Sequence, residues 1–310
     1  MNALNWQNEI SRVAGGIRKR VLQHSIQNNG GYLSQACSSA EIFASLYVKV
    51  MNLEKLSHPF MPSPFQGVPS SKNSTYKTGA IFNGSINGDY DRFFLSPAQY
   101  ALVLYATLIE VDRMQEDGLK EFNQDGSSVE MIGAEHSPGM ESMTGSLGQG
   151  ISQAAGAAKA YKLKRNKGRI FVFMSDGEFQ IGQTWEAVQA MSFHKLDNMF
   201  IYIDINGHQC DGKMDTVMNI EPLEKRLESF GARVFRVNGH NPEILCSLGN
   251  LPPEGKPTFI LADTSPYNGI AILKKRFPKF HYLRFTSEEE KLHYQLALHE
   301  LEKNMGLCKS

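Results

Sequence analysis

An aspartate and an asparagine, Asp176 and Asn206, stand 30 positions apart, each just beyond an apolar run. Asp176 opens Asp176-Gly177-Glu178 behind Arg169-Ile170-Phe171-Val172-Phe173-Met174, and Asn206 sits in Asp204-Ile205-Asn206-Gly207 behind Met199-Phe200-Ile201-Tyr202-Ile203. A carboxylate and an amide oxygen at the ends of two such runs can share one hard cation. Mg²⁺ takes octahedral oxygen ligation and is held by one or two carboxylates while substrate phosphates complete the shell. Asp176 would bring charge, Asn206 a neutral oxygen, and a loop carbonyl just beyond, that of His208, a third ligand. The pattern points to a magnesium diphosphate. The same residues also read as punctuation, Asp176 capping the next helix and Asn206 turning the chain, because Asp-Gly and Asn-Gly are common turn pairs.

The elements that must position this pair follow from the pattern around it. Two continuous apolar runs read as buried parallel strands. Residues 182–195 between them are helical, giving a β-α-β unit with both polar residues at carboxyl ends of strands, the edge where open α/β sheets bind ligands. Upstream, Thr144-Gly145-Ser146-Leu147-Gly148-Gln149-Gly150 opens a small-residue helix over residues 151–160. Its backbone N–H groups could face an anion, or its small face could simply pack closely. Residues 233–237 and 258–262 add two strands, and residues 10–27, 38–50 and 97–112 add helices. The expected fold is α/β, a doubly wound, mostly parallel sheet with helices on both faces. Residues 57–91, rich in Pro, Ser, Asn and Gly, read as a long loop, either a solvated insertion or a lid. The boundaries expected are one domain over residues 1–285 and a packing or docking helix over 286–310, with Leu292, Leu296, Leu298 and Leu301 as its apolar stripe. Trp185 reads as core packing before subunit contact, and His240 as part of a surface turn.

Together the run 144–152, Ser175-Asp176-Gly177-Glu178-Phe179-Gln180-Ile181-Gly182-Gln183-Thr184-Trp185-Glu186-Ala187, His194-Lys195-Leu196-Asp197-Asn198 and Asp204-Ile205-Asn206-Gly207-His208-Gln209-Cys210-Asp211-Gly212 resemble the amino-terminal, thiamine-diphosphate-binding portion of transketolase. The resemblance runs from about Gly30 to about His281. It implies that Asp176, Asn206 and the His208 carbonyl hold Mg²⁺, and that Gly177 lets the diphosphate approach. Glu178 and Ser146 would lie at the cofactor, and Gly145 and Leu147 would touch its two rings. Asn268-Gly269-Ile270-Ala271 followed by Phe280-His281 is similar to the family segment whose histidine faces cofactor and sugar. Without the family, His281 is equally a histidine on a basic loop near Lys279 and Arg284. The chain departs from the family in three places. Asn28 stands where a sugar-facing histidine is usual, Gln99 where a histidine meets the diphosphate, and Ile181 where an acid is usual near the axis between subunits, although Glu186 is kept. His136, in Ala134-Glu135-His136-Ser137, aligns as a substrate contact.

Length changes what the resemblance implies. At 310 residues the chain is ample for one α/β domain, whereas a full transketolase has further domains carrying the carboxylate that activates the cofactor's aminopyrimidine. Anchoring the diphosphate positions the cofactor without activating it. The expectation is therefore the amino-terminal subunit of a split transketolase-like transferase, using thiamine diphosphate and Mg²⁺ to move a two-carbon ketol unit from a ketose, a phosphate by expectation, to an aldose. A complementary carboxy-terminal subunit would supply the activating Glu in a heterotetramer. The alternatives are the alpha subunit of a thiamine-dependent 2-oxo acid dehydrogenase and a non-catalytic cofactor-binding scaffold subunit. With 32 basic and 32 acidic residues the formal net charge is zero, which offers no broad attraction to nucleic acid or membrane. Cys37, Cys210, Cys246 and Cys308 follow no metal spacing and read as reduced thiols. With no signal-like start and no run of eighteen apolar residues, the expected setting is the cytoplasm.

Overall fold

The computed structural model describes residues 5–306; Cys308 and the last residues of the expected tail lie outside the described residues. Five strands make one parallel sheet: β1 (Arg92–Leu95), β2 (Ile170–Ser175), β3 (Met199–Ile205), β4 (Arg233–Asn238) and β5 (Thr258–Asp263), in the spatial order β1-β2-β3-β5-β4. Aromatic and branched side chains suit a pleated surface covered on both sides, and every residue of β2 is buried.

The two-residue period of the strands sorts these side chains into two cores. Phe171, Phe173, Phe200 and Tyr202 face α1 (Asn5–Gln27), α2 (Leu33–Ser45) and α3 (Ala101–Glu110). Ile170, Val172, Met174, Ile201 and Ile203 face the other way, against α4 (Gly150–Leu163), α5 (Gly182–Phe193) and α6 (Leu223–Ser229). Burying each such side chain contributes roughly 1.5–3 kcal/mol, so the strand ends between the two cores are rigidly placed. A further helix, α7 (Pro242–Leu248), starts under the side chain of Asn241, which accepts from the backbone of Glu243 and Ile244, and it closes the first core through Leu245 and Leu248.

The structure corrects several boundaries. Strand β1 went unread because its four residues, Arg-Phe-Phe-Leu, are too few to show a period. The helix expected over 38–50 is α2, continued from Leu46 to Val50 by a wider π-helical turn. The last helix, α8 (Glu288–Asn304), begins at Ser287, whose hydroxyl accepts from the Glu290 N–H. Its inward row is Tyr294, Leu298 and Leu301, so half of the expected leucine stripe packs inward: Tyr294 is 2% exposed and Leu298 packs on the core, whereas Leu292 and Leu296 are 53% and 55% exposed. Tyr294 packs on Phe285 with ring centroids 5.2 Å apart, and this anchor turns Leu292 and Leu296 to solvent.

Residues 57–91 are bound to the following segment rather than free of it. Phe60 exchanges backbone bonds with Arg113 and Gln115, the Phe65 N–H donates to the Gly126 carbonyl, and Gly79 N–H donates to the Glu135 carbonyl at 2.7 Å. Among the described residues Cys37, Cys210 and Cys246 are unpaired, and no described helix is long and apolar enough to cross a membrane.

Candidate active site

Ser175 is paired with Asp204 across β2 and β3, so Asp176 and Asn206 leave the carboxyl ends of adjacent strands side by side. A cavity of about 250 Å³ opens there, and Gln99, Leu147, Asp176, Gly177, Asn206, His208 and His281 are on its wall. Asp176 is 2% exposed. Its Oδ1 accepts from the Gly177 N–H at 2.8 Å and its Oδ2 from the Gly207 N–H at 3.0 Å. Burial, and then the nearby Asp204 carboxylate, push its pKa up to about 8 against those two bonds. Among the described residues no basic side chain forms an ion pair with it. An uncompensated buried carboxyl is what a bound cation relieves.

Asn206 completes the donor set. Its Nδ2 donates to the Asp204 Oδ2 at 3.0 Å and to the Tyr100 hydroxyl at 3.2 Å. This fixes which end of the amide is oxygen, and Oδ1 accepts from the His208 N–H at 2.9 Å with a lone pair to spare. One carboxylate, one amide oxygen and a loop carbonyl suit a hard cation that also binds phosphate. They differ from a cage of protein side chains, and no cluster of three or more His, Cys, Asp or Glu placed for a metal occurs among the described residues.

Behind this pair lies a group that the sequence did not reveal. Asp204, 0% exposed, accepts from Ser38 Oγ at 2.5 Å and Tyr100 Oη at 2.7 Å, from Asn206, and from the Thr264 hydroxyl. Its donors come from α2, from the turn before α3, and from the turn after β5. Asp204 thus sets Asn206 from beneath.

Glu178 has a similar supporting place, which differs from the expected one at the cofactor. Its carboxyl is buried away from the cavity wall. It accepts from the Ser96 hydroxyl, from the Gly148 N–H at 2.9 Å and from the Ser175 N–H at 3.0 Å. It therefore ties the ends of β1 and β2 to the glycine-rich turn, even though burial pushes its pKa up. Gly148 adopts φ +81°, and a Cβ there would meet Thr184 Oγ1 at 2.9 Å, so glycine is required. The turn presents Leu147 to the cavity, whereas Gly145 and Ser146 are exposed and are not on its wall.

His208 and His281 close the far side. The His208 ring meets Phe280 edge-on at 4.8 Å, and burial, then Lys213, hold its pKa below the ordinary value. His281 packs edge-on to Tyr32 at 5.4 Å, and burial lowers its pKa as well. Gln35, Tyr100, Gln180, Cys210, Pro266 and Phe280 also reach the cavity. Of these, Tyr100 directly follows the expected contact Gln99 and Gln35 lies seven residues past Asn28, yet nothing in either residue itself marked it.

Two expected substrate contacts are not brought to this cavity. Asn28, just past the end of α1, is exposed; its amide donates back to the His24 carbonyl at 2.9 Å, and it borders a separate hollow with Arg20 and Glu116. His136 packs at a tilt against Phe65, ring centroids 4.5 Å apart, in a cavity of about 420 Å³ under the long loop. Its Nε2 lies 3.2 Å from Glu130 Oε2. That cavity is larger, but the buried Asp176 carboxyl and the oriented Asn206 amide are at the strand ends, and chemistry rather than volume selects the candidate site. No residue of 57–91 is on the strand-end cavity wall. Trp185 packs on Phe179 and Phe230, its Nε1 donating to the Phe179 carbonyl at 3.0 Å. Ile181, in place of the acid, is on the cavity wall.

Comparison with known proteins agrees with this geometry. Residues 83–266 match the family described as "Transketolase, thiamine diphosphate binding domain". The chain is 29% identical over 306 residues to one of the subunits of the apulose-4-phosphate transketolase of Actinobacillus succinogenes, covering 97% of this chain and 99% of that one. It is 28% identical over 300 residues to a 6-deoxy-6-sulfo-D-fructose transketolase subunit of a Clostridium species, covering 96% and 98%. Among solved structures it is similar to transketolase from Campylobacter jejuni, with a TM-score of 0.69 at 22% identity over 99% of this chain. That likeness is one of fold, and the chain spans about half, 48%, of the solved transketolase. On the strength of its matched domain, this chain belongs to the transketolase thiamine diphosphate binding domain family.

Proposed function

We propose that the chain is the cofactor-anchoring subunit of a two-subunit transketolase, a transferase that moves a two-carbon ketol unit from a ketose phosphate to an aldose. The carrying observation is the buried, uncompensated Asp176 beside the oriented Asn206 amide at two adjacent strand ends. Asp176, Asn206 and the His208 carbonyl would hold Mg²⁺, whose charge would offset that of the diphosphate. Gly177 leaves that approach open, since a Cβ there would have only Gln209 Oε1 near it, at 4.0 Å. Leu147 offers an apolar contact, and Gln99 and Gln180 offer amide hydrogen bonds. Thiamine diphosphate supplies, when bound, the nucleophilic ring carbon that carries the two-carbon unit. His281, whose pKa burial holds below the ordinary value, can take a proton at the substrate side and return it.

The match of nearly the full length to relatives named as transketolase subunits supports a two-chain enzyme. A partner chain would then bring the activating Glu and most of the sugar pocket, in a heterotetramer of two copies of each. Asn28 and His136, both outside the cavity in the single chain, would take part only through such a partner. A cytoplasmic setting fits the unpaired thiols. The test is ketol transfer from fructose 6-phosphate to an aldose by the chain mixed with its complementary partner, and by each alone. Transfer only in the mixture is expected. Release of CO₂ from a 2-oxo acid, or cofactor binding without turnover in the mixture, would replace this reading by a dehydrogenase half or by a scaffold.

A further inference from the structure

His240, expected in a surface turn, is tied into the framework behind the site. Its Nε2 accepts from the Ser265 N–H at 2.9 Å, and its Nδ1 lies 2.9 Å from Glu41 Oε2 and 3.0 Å from Asn268 Nδ2. An imidazole that accepts through Nε2 and faces a carboxylate through Nδ1 carries its proton on Nδ1, and the Asn268 amide then turns its oxygen rather than its NH₂ to the ring. Glu41 also receives the Arg18 guanidinium at 2.6 Å. Burial opposes its charge, but the bonds from His240 and Arg18 prevail and bring its pKa down to about 2.

What these bonds fix is the turn after β5. The turn after β4 lies flush against it: Gly239 N–H donates to the Asp263 carbonyl at 2.8 Å, and a Cβ on Gly239 would meet Thr264 Cγ2 at 2.5 Å. From the β5 turn, the Thr264 hydroxyl donates to Asp204 and Pro266 stands on the cavity wall. Helix α2 reaches the same turn along one row of side chains at helical spacing. Gln35 is on the cavity wall, Ser38 donates to Asp204, and Glu41 holds His240.

We propose that His240, oriented by Glu41, is a positioning residue for the cofactor site: by holding the Ser265 N–H it keeps Thr264 on Asp204, and so Asn206 in its ligating orientation. This rests on the reading of Asp176 and Asn206 as the magnesium site. It assigns His240 no contact with cofactor or substrate.

The test uses the full chain with thiamine diphosphate at saturating Mg²⁺, together with metal-free readouts. Nitrogen NMR of the histidines should show His240 as the Nδ1-protonated tautomer, and hydrogen exchange should show a protected Ser265 amide. In His240→Phe, which keeps the ring volume and loses both nitrogen bonds, Ser265 protection should fall and the dissociation constant per folded chain should rise at least tenfold. His240→Gln, which can still accept from Ser265, should recover part of the loss. Should His240→Phe not fold, Glu41→Gln carries the same comparison, with an expected rise of threefold or more. An Nε2-protonated His240, or affinity within twofold of wild type in a folded variant, overturns the inference. Unchanged affinity in Asp176→Ala overturns instead the reading of the site beneath it.

Discussion

Tyr100→Phe isolates the buried support under Asn206, one of the proposed magnesium ligands. The tyrosine is 1% exposed, and its ring stays packed on Phe173, 4.8 Å away, when the hydroxyl is removed. No cavity larger than one oxygen is made, so the transfer and cavity terms of a core truncation are small. What is lost is the bond to Asp204 Oδ2 at 2.7 Å and the one accepted from Asn206 Nδ2 at 3.2 Å. A hydrogen bond to a buried charged group contributes about 1.5–3 kcal/mol. Because Asp204 keeps Ser38, Thr264 and Asn206 as donors, the expected loss of unfolding free energy is about 2 kcal/mol. Asn206 keeps one of its two amide anchors, so thiamine diphosphate affinity should fall only about fivefold, equivalent to about 1 kcal/mol. Urea unfolding of the metal-free chain and calorimetry with Mg²⁺ read the two quantities separately. A stability change under 0.5 kcal/mol, with unchanged affinity, would show that Asp204 does not bear on Asn206.

With its folded pKa raised from 3.8 to about 8, Asp176 binds a proton more tightly in the folded chain than in the unfolded one. Its contribution is therefore fully present below pH 4 and is lost as pH rises through 8. Metal-free stability should accordingly decline from pH 5.5 to 8.5 in wild type relative to Asp176→Asn, and matching slopes would refute this. Mg²⁺ needs the deprotonated carboxylate, so magnesium-dependent cofactor affinity should rise by up to tenfold per pH unit below 8; a pH-independent affinity would count against it. Gly79→Ala should release the long loop, because a Cβ there would stand 1.8 Å from the Ser137 carbonyl oxygen. Limited proteolysis within 57–78 should quicken, and unchanged cleavage would contradict that attachment. His136→Ala should leave cofactor affinity of the single chain within twofold, since its ring lies with Phe65 under that loop; a tenfold loss would place it at the site after all.

The parts of the fold legible in sequence were those written in local pattern. The runs behind Asp176 and Asn206 are long enough to show buried strands, and their ends are where the structure puts the cavity. Short or one-sided signals failed: β1 has four residues, and the leucines of α8 suggested a face that Tyr294 overrides. The site divides in the same way. Asp176 and Asn206 stood at visible strand ends, whereas nothing local marked Asp204 as the support of Asn206. Its donors Ser38, Tyr100 and Thr264 are 166, 104 and 60 residues away. Only folding brings them together. The supporting bonds of Glu178 and His240 were hidden for a related reason, because a polar residue beside a motif gives no sign whether it faces ligand or holds another turn. Asn28 and His136 were placed by resemblance at points where this chain departs from its relatives.

The central claim is that Asp176 anchors magnesium and, through it, thiamine diphosphate. Titration calorimetry of thiamine diphosphate into the metal-free chain, with Mg²⁺, with excess chelator, and in Asp176→Ala, tests it most directly. The account predicts saturable binding with Mg²⁺ that is lost with chelator and falls at least a hundredfold in a folded Asp176→Ala chain. Equal affinity in the variant, or binding indifferent to the metal, would contradict it.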